Sequence, residues 1–120
     1  MSAIDTMGMA FLERFLDLAT FRQTLVAANL ANLDTPGFRT RDVAFQSELA
    51  WASTEGFKQP LRPFVRPVYG LISRPDGNNV SLDREGLLLA ETQLQYKVAT
   101  EFIRAEFRRM HAAINDGAET

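Results

Sequence analysis

The chain has 120 residues, 46% of them apolar, with 13 basic against 15 acidic side chains and a net charge of −2. That length bounds it to one domain at most, and the near-neutral balance gives no general attraction to nucleic acid or to an anionic membrane surface. Cysteine is absent, which excludes disulfides and thiolate metal sites, and no stretch approaches the roughly 20 apolar residues that span a bilayer.

The N-terminal segment Met1–Thr6 has neither a basic n-region nor an apolar h-region, so no cleavable secretory signal is expected. Two routes stay open at this point: residence in the cytoplasm, or export by a machine that reads an uncleaved N-terminus.

A first long helix is predicted over residues 7–33. Its seam runs through Met9, Leu12, Leu16, Ala19, Gln23, Val26, Leu30 and Leu33, with spacings of three and four and a single polar member. This is a heptad-like stripe about 25 residues long, roughly 37 Å at 1.5 Å per residue. Phe11, Phe15 and Leu18 widen the apolar face, and Glu13, Arg14, Asp17 and Arg22 fill the other side. The helix should stop near Asn32–Asp34, because Pro36 disfavours helical geometry at Thr35. Pro36-Gly37 suits the centre of a type II turn, with glycine taking the positive φ. Asn29 and Asn32 share a face near the helix end. Their amides either hydrogen-bond a neighbour or the backbone after the turn and so fix register, or serve as ordinary C-terminal capping and turn chemistry.

Residues 34–80 are irregular by composition. Pro60, Pro63, Pro67 and Pro75 lie close together, a density that forbids helix and disfavours central strands. An extended or polyproline-like chain is expected, with room for one short hairpin, and Asp42–Trp51 forms a short helical turn or an extended arm. Pro75-Asp-Gly-Asn-Asn79 is a strong turn signal. Trp51 is read as a packing anchor.

A second long helix is predicted over 82–115. Ser81 is its N-cap, and Asp83 and Glu85 suit the positive end of the dipole. Its stripe is Leu89, Tyr96, Ala99, Ile103, Phe107, Met110 and Ile114, with Leu94, Val98 and Phe102 alongside. Asn115-Asp-Gly117 is expected to end it, leaving Gly117–Thr120 as a loose tail. The resulting fold class is mainly α: two long terminal amphipathic helices pair as an antiparallel coiled-coil-like hairpin around a proline-rich middle.

Catalytic signals are weak. His111 is the single histidine and lacks clustered carboxylates, no nucleophile-elbow pattern occurs, and Gly70 and Gly77 form no phosphate loop. Lys58, Arg62, Arg66 and Arg74 make the middle basic, which reads as a solvated arm in preference to a nucleic-acid site. Each helix has an apolar face wider than one partner covers, with Phe11, Phe15, Phe102 and Phe107 beside the seams. Such surplus marks an interface, so the chain is read as one that assembles.

The segment Ala28-Asn-Leu-Ala-Asn-Leu-Asp-Thr-Pro-Gly-Phe-Arg39 resembles the shared N-terminal motif of the bacterial flagellar rod and hook proteins, the axial family: two asparagines three apart, then Thr-Pro-Gly-aromatic-basic. The matching motif positions are Asn29, Asn32, Thr35, Pro36, Gly37 and Phe38. The resemblance covers about 9–45 and 76–114. Leu33 stands where such proteins often have alanine. The short length, the proline-rich middle, Asp76–Glu85 and Leu94-Gln-Tyr96 resemble the short members that build the proximal rod.

The resemblance implies a structural subunit and not an enzyme. Such a subunit is exported by the flagellar type III apparatus without a cleaved signal, and polymerises helically in the periplasm into the drive shaft that carries motor torque to the hook. Its implied partners are copies of itself, other rod subunits, the ring-to-rod adaptor and the export apparatus. No cofactor, metal, small-molecule substrate, nucleic acid or direct membrane insertion is implied. A cytoplasmic helical adaptor or secretion chaperone would use the same amphipathic faces, but would have no reason to carry the Asn-Leu-Ala-Asn-Leu-Asp-Thr-Pro-Gly-Phe motif.

Overall fold

The structure, a computed structural model, describes residues 3–60 and 62–119. Met1 and Ser2 of the N-terminal segment, and Thr120 of the expected tail, lie outside the described residues. The chain order is α1 (Ala3–Ala31), β1 (Arg41–Val43), α2 (Phe45–Thr54), β2 (Val65–Pro67) and α3 (Leu82–Glu119). The molecule is a rod of 72 × 26 × 17 Å, because its two long helices lie side by side and antiparallel.

α1 starts ahead of the expected residue 7 and stops short of residue 33. Its last turn tightens: the Asn32 N–H donates to both Ala28 O and Asn29 O at 3.2 Å, and the Leu33 N–H to Leu30 O at 3.2 Å. Pro36-Gly37 then turns the chain. Gly37 has φ 74°, and the Phe38 N–H donates to Thr35 O at 3.2 Å. α3 begins as expected, with Ser81 Oγ accepting from the Arg84 N–H at 3.2 Å. The expected stop at Asn115-Asp-Gly117 is overturned, since α3 runs on to Glu119. A glycine inside a helix costs only about 0.5–1 kcal/mol against alanine, too little to break a helix of this length.

Between the helices, the stretch Asp42–Trp51 divides. Asp42 and Val43 belong to β1, and α2 takes the chain from Phe45 onward. β1 pairs antiparallel with β2 in the register Arg41↔Pro67, Asp42↔Arg66, Val43↔Val65. The two strands are not a tight hairpin, because α2 and the 55–64 loop lie between them. Pro67 is tolerated at a position where the strand need not donate.

The core sits under this small sheet. Leu18, Ala19, Leu25, Val43 and Phe45 are buried together, with Phe15, Phe21, Leu49 and Val65 packed against them. Phe11 and Phe15, expected as surplus for other subunits, are used within the chain. Phe15 meets Phe45 edge-on at 5.3 Å, and Phe11 meets Phe57 edge-on at 5.9 Å. Arg14 and Arg22 also leave the solvent side assigned to them. Arg14 Nη2 donates to the carbonyls of Phe57 (3.3 Å) and Gln59 (2.9 Å), and Arg22 turns to β1. Trp51 is not an anchor within the chain, being 66% exposed.

Candidate functional site

The asparagine motif and the turn before α3 interlock. Asn29 is buried, and its amide grips the main chain of β1: Nδ2 donates to Arg41 O at 2.9 Å, and Oδ1 accepts from the Arg41 N–H at 3.2 Å. Asn32 stays local. Its Nδ2 donates to Ala28 O at 2.8 Å, and its Oδ1 accepts from Thr35 Oγ1 at 3.0 Å. Two carbonyls of the turn just beyond α1 accept from Asn78, which is fully buried. Its Nδ2 donates to Asn32 O at 2.9 Å and Thr35 O at 2.8 Å, while its Oδ1 accepts from the Val80 N–H at 2.8 Å. Arg74 adds a guanidinium to the Leu33 carbonyl.

A second rung runs beside the first. The Thr40 N–H donates to Asn79 Oδ1 at 2.6 Å, and Thr40 Oγ1 to Asn79 O at 3.2 Å. The Asn79 N–H donates to Phe38 O at 3.2 Å, and the Gly37 N–H to Asp76 O at 2.8 Å. Gly37 and Gly77 touch: a Cβ on Gly77, which has φ 87°, would stand 3.4 Å from Gly37 Cα. Arg39 closes the outside, donating to Ser73 Oγ and Gly77 O. Residues 29–40 and 73–80 thus form one polar clasp that ties the end of α1 to the start of α3. Pro36 is exposed at its tip and Phe38 is half-buried.

One helical turn away lies a charge cluster that sequence reasoning missed. The Asp42 carboxylate receives Arg22 on both oxygens at 3.1 and 3.0 Å, the Val43 N–H at 2.7 Å, and Arg84 at 2.6 Å. Arg84 also donates to the buried Glu85 at 2.9 Å. Burial pushes the Asp42 carboxyl up, but the hydrogen bonds from Arg22 and Val43, the Arg22 charge and the Arg84 hydrogen bond outweigh it and hold it below the ordinary aspartate range. The cluster joins α1, β1 and α3 at one point. Glu85, expected only to complement the helix dipole, is part of it. The available signal was the pair Arg84-Glu85 placed one turn after a cap, on the face that packs.

The seam residues fall in three settings. Val26 and Ala19 are buried, and Met9, Leu12, Leu16, Leu30, Leu33, Ile103 and Met110 are half-buried. Tyr96 and Phe107 are 48% and 58% exposed and stand at the edge of a groove between α1 and α3, with Met9, Leu16 and Ile103. α3 turns Glu85, Leu88, Thr92 and Ala99 inward. Leu94, Val98 and Phe102 point away from α1 and are exposed. His111 is exposed on the far end of α3. Among the described residues no group of His, Asp or Glu could hold a metal ion, and no helix is long and apolar enough to cross a membrane.

The asparagine motif of this clasp is also where the chain matches a known class, the flagellar basal body rod proteins. The family model described as "Flagella basal body rod protein" matches residues 19–39, the stretch that carries the motif. The flagellar basal body rod protein FlgB of Proteus mirabilis (strain HI4320) is 31% identical, over 89% of this chain and 93% of its own length. FlgB of Escherichia coli (strain K12) is 30% identical over 92% and 94%, and that of Borrelia hermsii 30% over 92% and 98%. The chain belongs to the FlgB family of flagellar basal body rod proteins, a structural family and not an enzymatic one.

Proposed function

We propose that this chain is a subunit of the proximal rod, polymerising helically with its own copies and other rod proteins into the shaft that carries motor torque to the hook. It is exported by the flagellar type III apparatus without a cleaved signal, assembles in the periplasm, and meets the ring-to-rod adaptor at its membrane-proximal side. The observation that carries this reading is the state of α3. Leu94, Phe102, Phe107 and Ile114 are 58–67% exposed on sides that the chain's own elements leave open. A helix apolar on more than one side belongs among several neighbours, which a tubular assembly provides.

In this reading Asn29, Asn32, Thr35, Pro36, Gly37 and Phe38 act in assembly by closing the clasp, which holds α1 and α3 in one register. Helical polymerisation follows when the same two unlike surfaces meet repeatedly without closing a ring.

The test is deletion of the gene, followed by electron microscopy of purified basal bodies. Basal bodies with membrane rings but no rod or hook, rescued by a copy in trans, are the expected result. Intact rods and normal swimming would overturn the reading.

A further inference from the structure

We propose that the far end of α3 docks into the α1–α3 groove of a second copy of this chain, a head-to-tail contact that rests on the rod-subunit reading above. The groove, about 630 Å³, has an apolar floor of Met9, Leu16, Tyr96, Ile103 and Phe107 and an acidic rim, Glu13 and Asp17. Asp17 is paired with Arg14 at 3.3 Å, so the charge at this rim rests on the exposed Glu13. Thr6, near the start of α1, lines it together with Phe107 of α3.

Beyond Phe107, α3 continues to Glu119, about twelve residues or roughly 18 Å at 1.5 Å per residue. From His111 to Gly117 every residue is exposed, so the described part of α1 leaves this end of α3 uncovered. The projecting end carries Ile114, 67% exposed, in an apolar patch with Met110 that adjoins the groove at Phe107 and is bordered by Arg108 and His111. One surface is therefore apolar with the Glu13 carboxylate at its border, the other apolar with the Arg108 guanidinium at its border, and both repeat on every copy. Unlike surfaces of this kind bind in an open series, and the charge borders set which end enters which groove.

Two exposed residues test it, Glu13 and Arg108. The deletion strain receives wild type, Glu13→Lys, Arg108→Glu, or the double variant, and rods are counted on purified basal bodies. Circular dichroism and urea unfolding of each purified full-length chain report folding. Each single reversal places like charges together and should cut the rod count to about a tenth of wild type or less. The double variant restores opposite charges at every contact and should return most of the rods.

Rods at wild-type level in both single variants would overturn the docking while leaving the rod reading intact. So would failure of the double variant when its unfolding matches wild type. If a variant is destabilised, Ile114→Ser replaces it, with the same loss expected and normal rods overturning the proposal. Rods present in the deletion strain without any copy would instead remove the rod reading itself, and the docking with it.

Discussion

The amide of Asn29 stands where a third strand would stand: it hydrogen-bonds both the N–H and the carbonyl of Arg41, at 3.2 and 2.9 Å. Arg41 pairs with Pro67 on its other side, which has no N–H to give. In that position of an antiparallel ladder the backbone groups of Arg41 point away from β2. The helix therefore caps the inner edge of the sheet with one side chain.

Asn29→Ala leaves both groups of Arg41 without a partner in a part-buried site. The expected loss of stability is about 2 kcal/mol, read from urea unfolding at constant m-value. A change under about 0.5 kcal/mol would mean that water replaces the amide without cost.

Asp42 makes stability depend on acidity, with a definite sign. Its pKa is lowered in the folded state by Arg22, Val43 and Arg84, so folding favours the charged form. The resulting stabilisation is fully present above the unfolded value and is lost as pH falls through the folded one. Urea midpoints for wild type should drop from about pH 5 downward, and those for Asp42→Asn should drop less. Asp42→Ala, which leaves Arg22 without its carboxylate and Arg84 with Glu85 alone, should cost about 3 kcal/mol at neutral pH.

The two touching glycines predict an order of effects. Gly37→Ala meets only the left-handed backbone penalty, since nothing lies within 4 Å of its Cβ position, and should cost about 1–2 kcal/mol. Gly77→Ala adds a contact at 3.4 Å to Gly37 Cα and should cost more. Thermal unfolding of the two variants side by side checks the order, and equal losses would remove the contact from the account.

Phe15 and Phe102 separate folding from assembly. Phe15 packs on Phe45 within the chain, so Phe15→Ala should cost about 3 kcal/mol of stability. Phe102 is 60% exposed, so Phe102→Ala should change the unfolding free energy by under about 0.5 kcal/mol yet reduce the rods counted on basal bodies. Normal rods with Phe102→Ala would show that this side of α3 meets no neighbour.

The long helices were legible because residues such as Leu12, Leu16, Val26 and Leu30 repeat with the helical period, and Pro36 and Ser81 punctuate them. The course of the inward face of α3 was harder to read. Glu85, Thr92 and Gln95 lie on or beside it, and polar residues there are supported by partners that hydropathy does not register, such as Arg84 on Glu85. β1 and β2 are three residues each, too short for alternation to announce them. Asn78 and Asn79 carried a turn signal, but their role depends on carbonyls more than forty positions earlier, a relation no local pattern encodes.

The clasp has a consequence for the order in which this molecule can come into being. The carbonyl of Phe38 and the N–H of Thr40 find their partners in Asn79, and the carbonyls of Asn32 and Thr35, each holding one local N–H, gain Asn78 as a second donor. A chain that emerges N-terminus first, from a ribosome or from a narrow conduit, therefore has about two thirds of its length in the open before the latch can engage. Until then α1 has neither its clasp nor the face of α3 to lie on, and a helix without tertiary burial holds poorly. The chain stays pliable for most of its passage and locks late, once the segment around Asn78 has arrived.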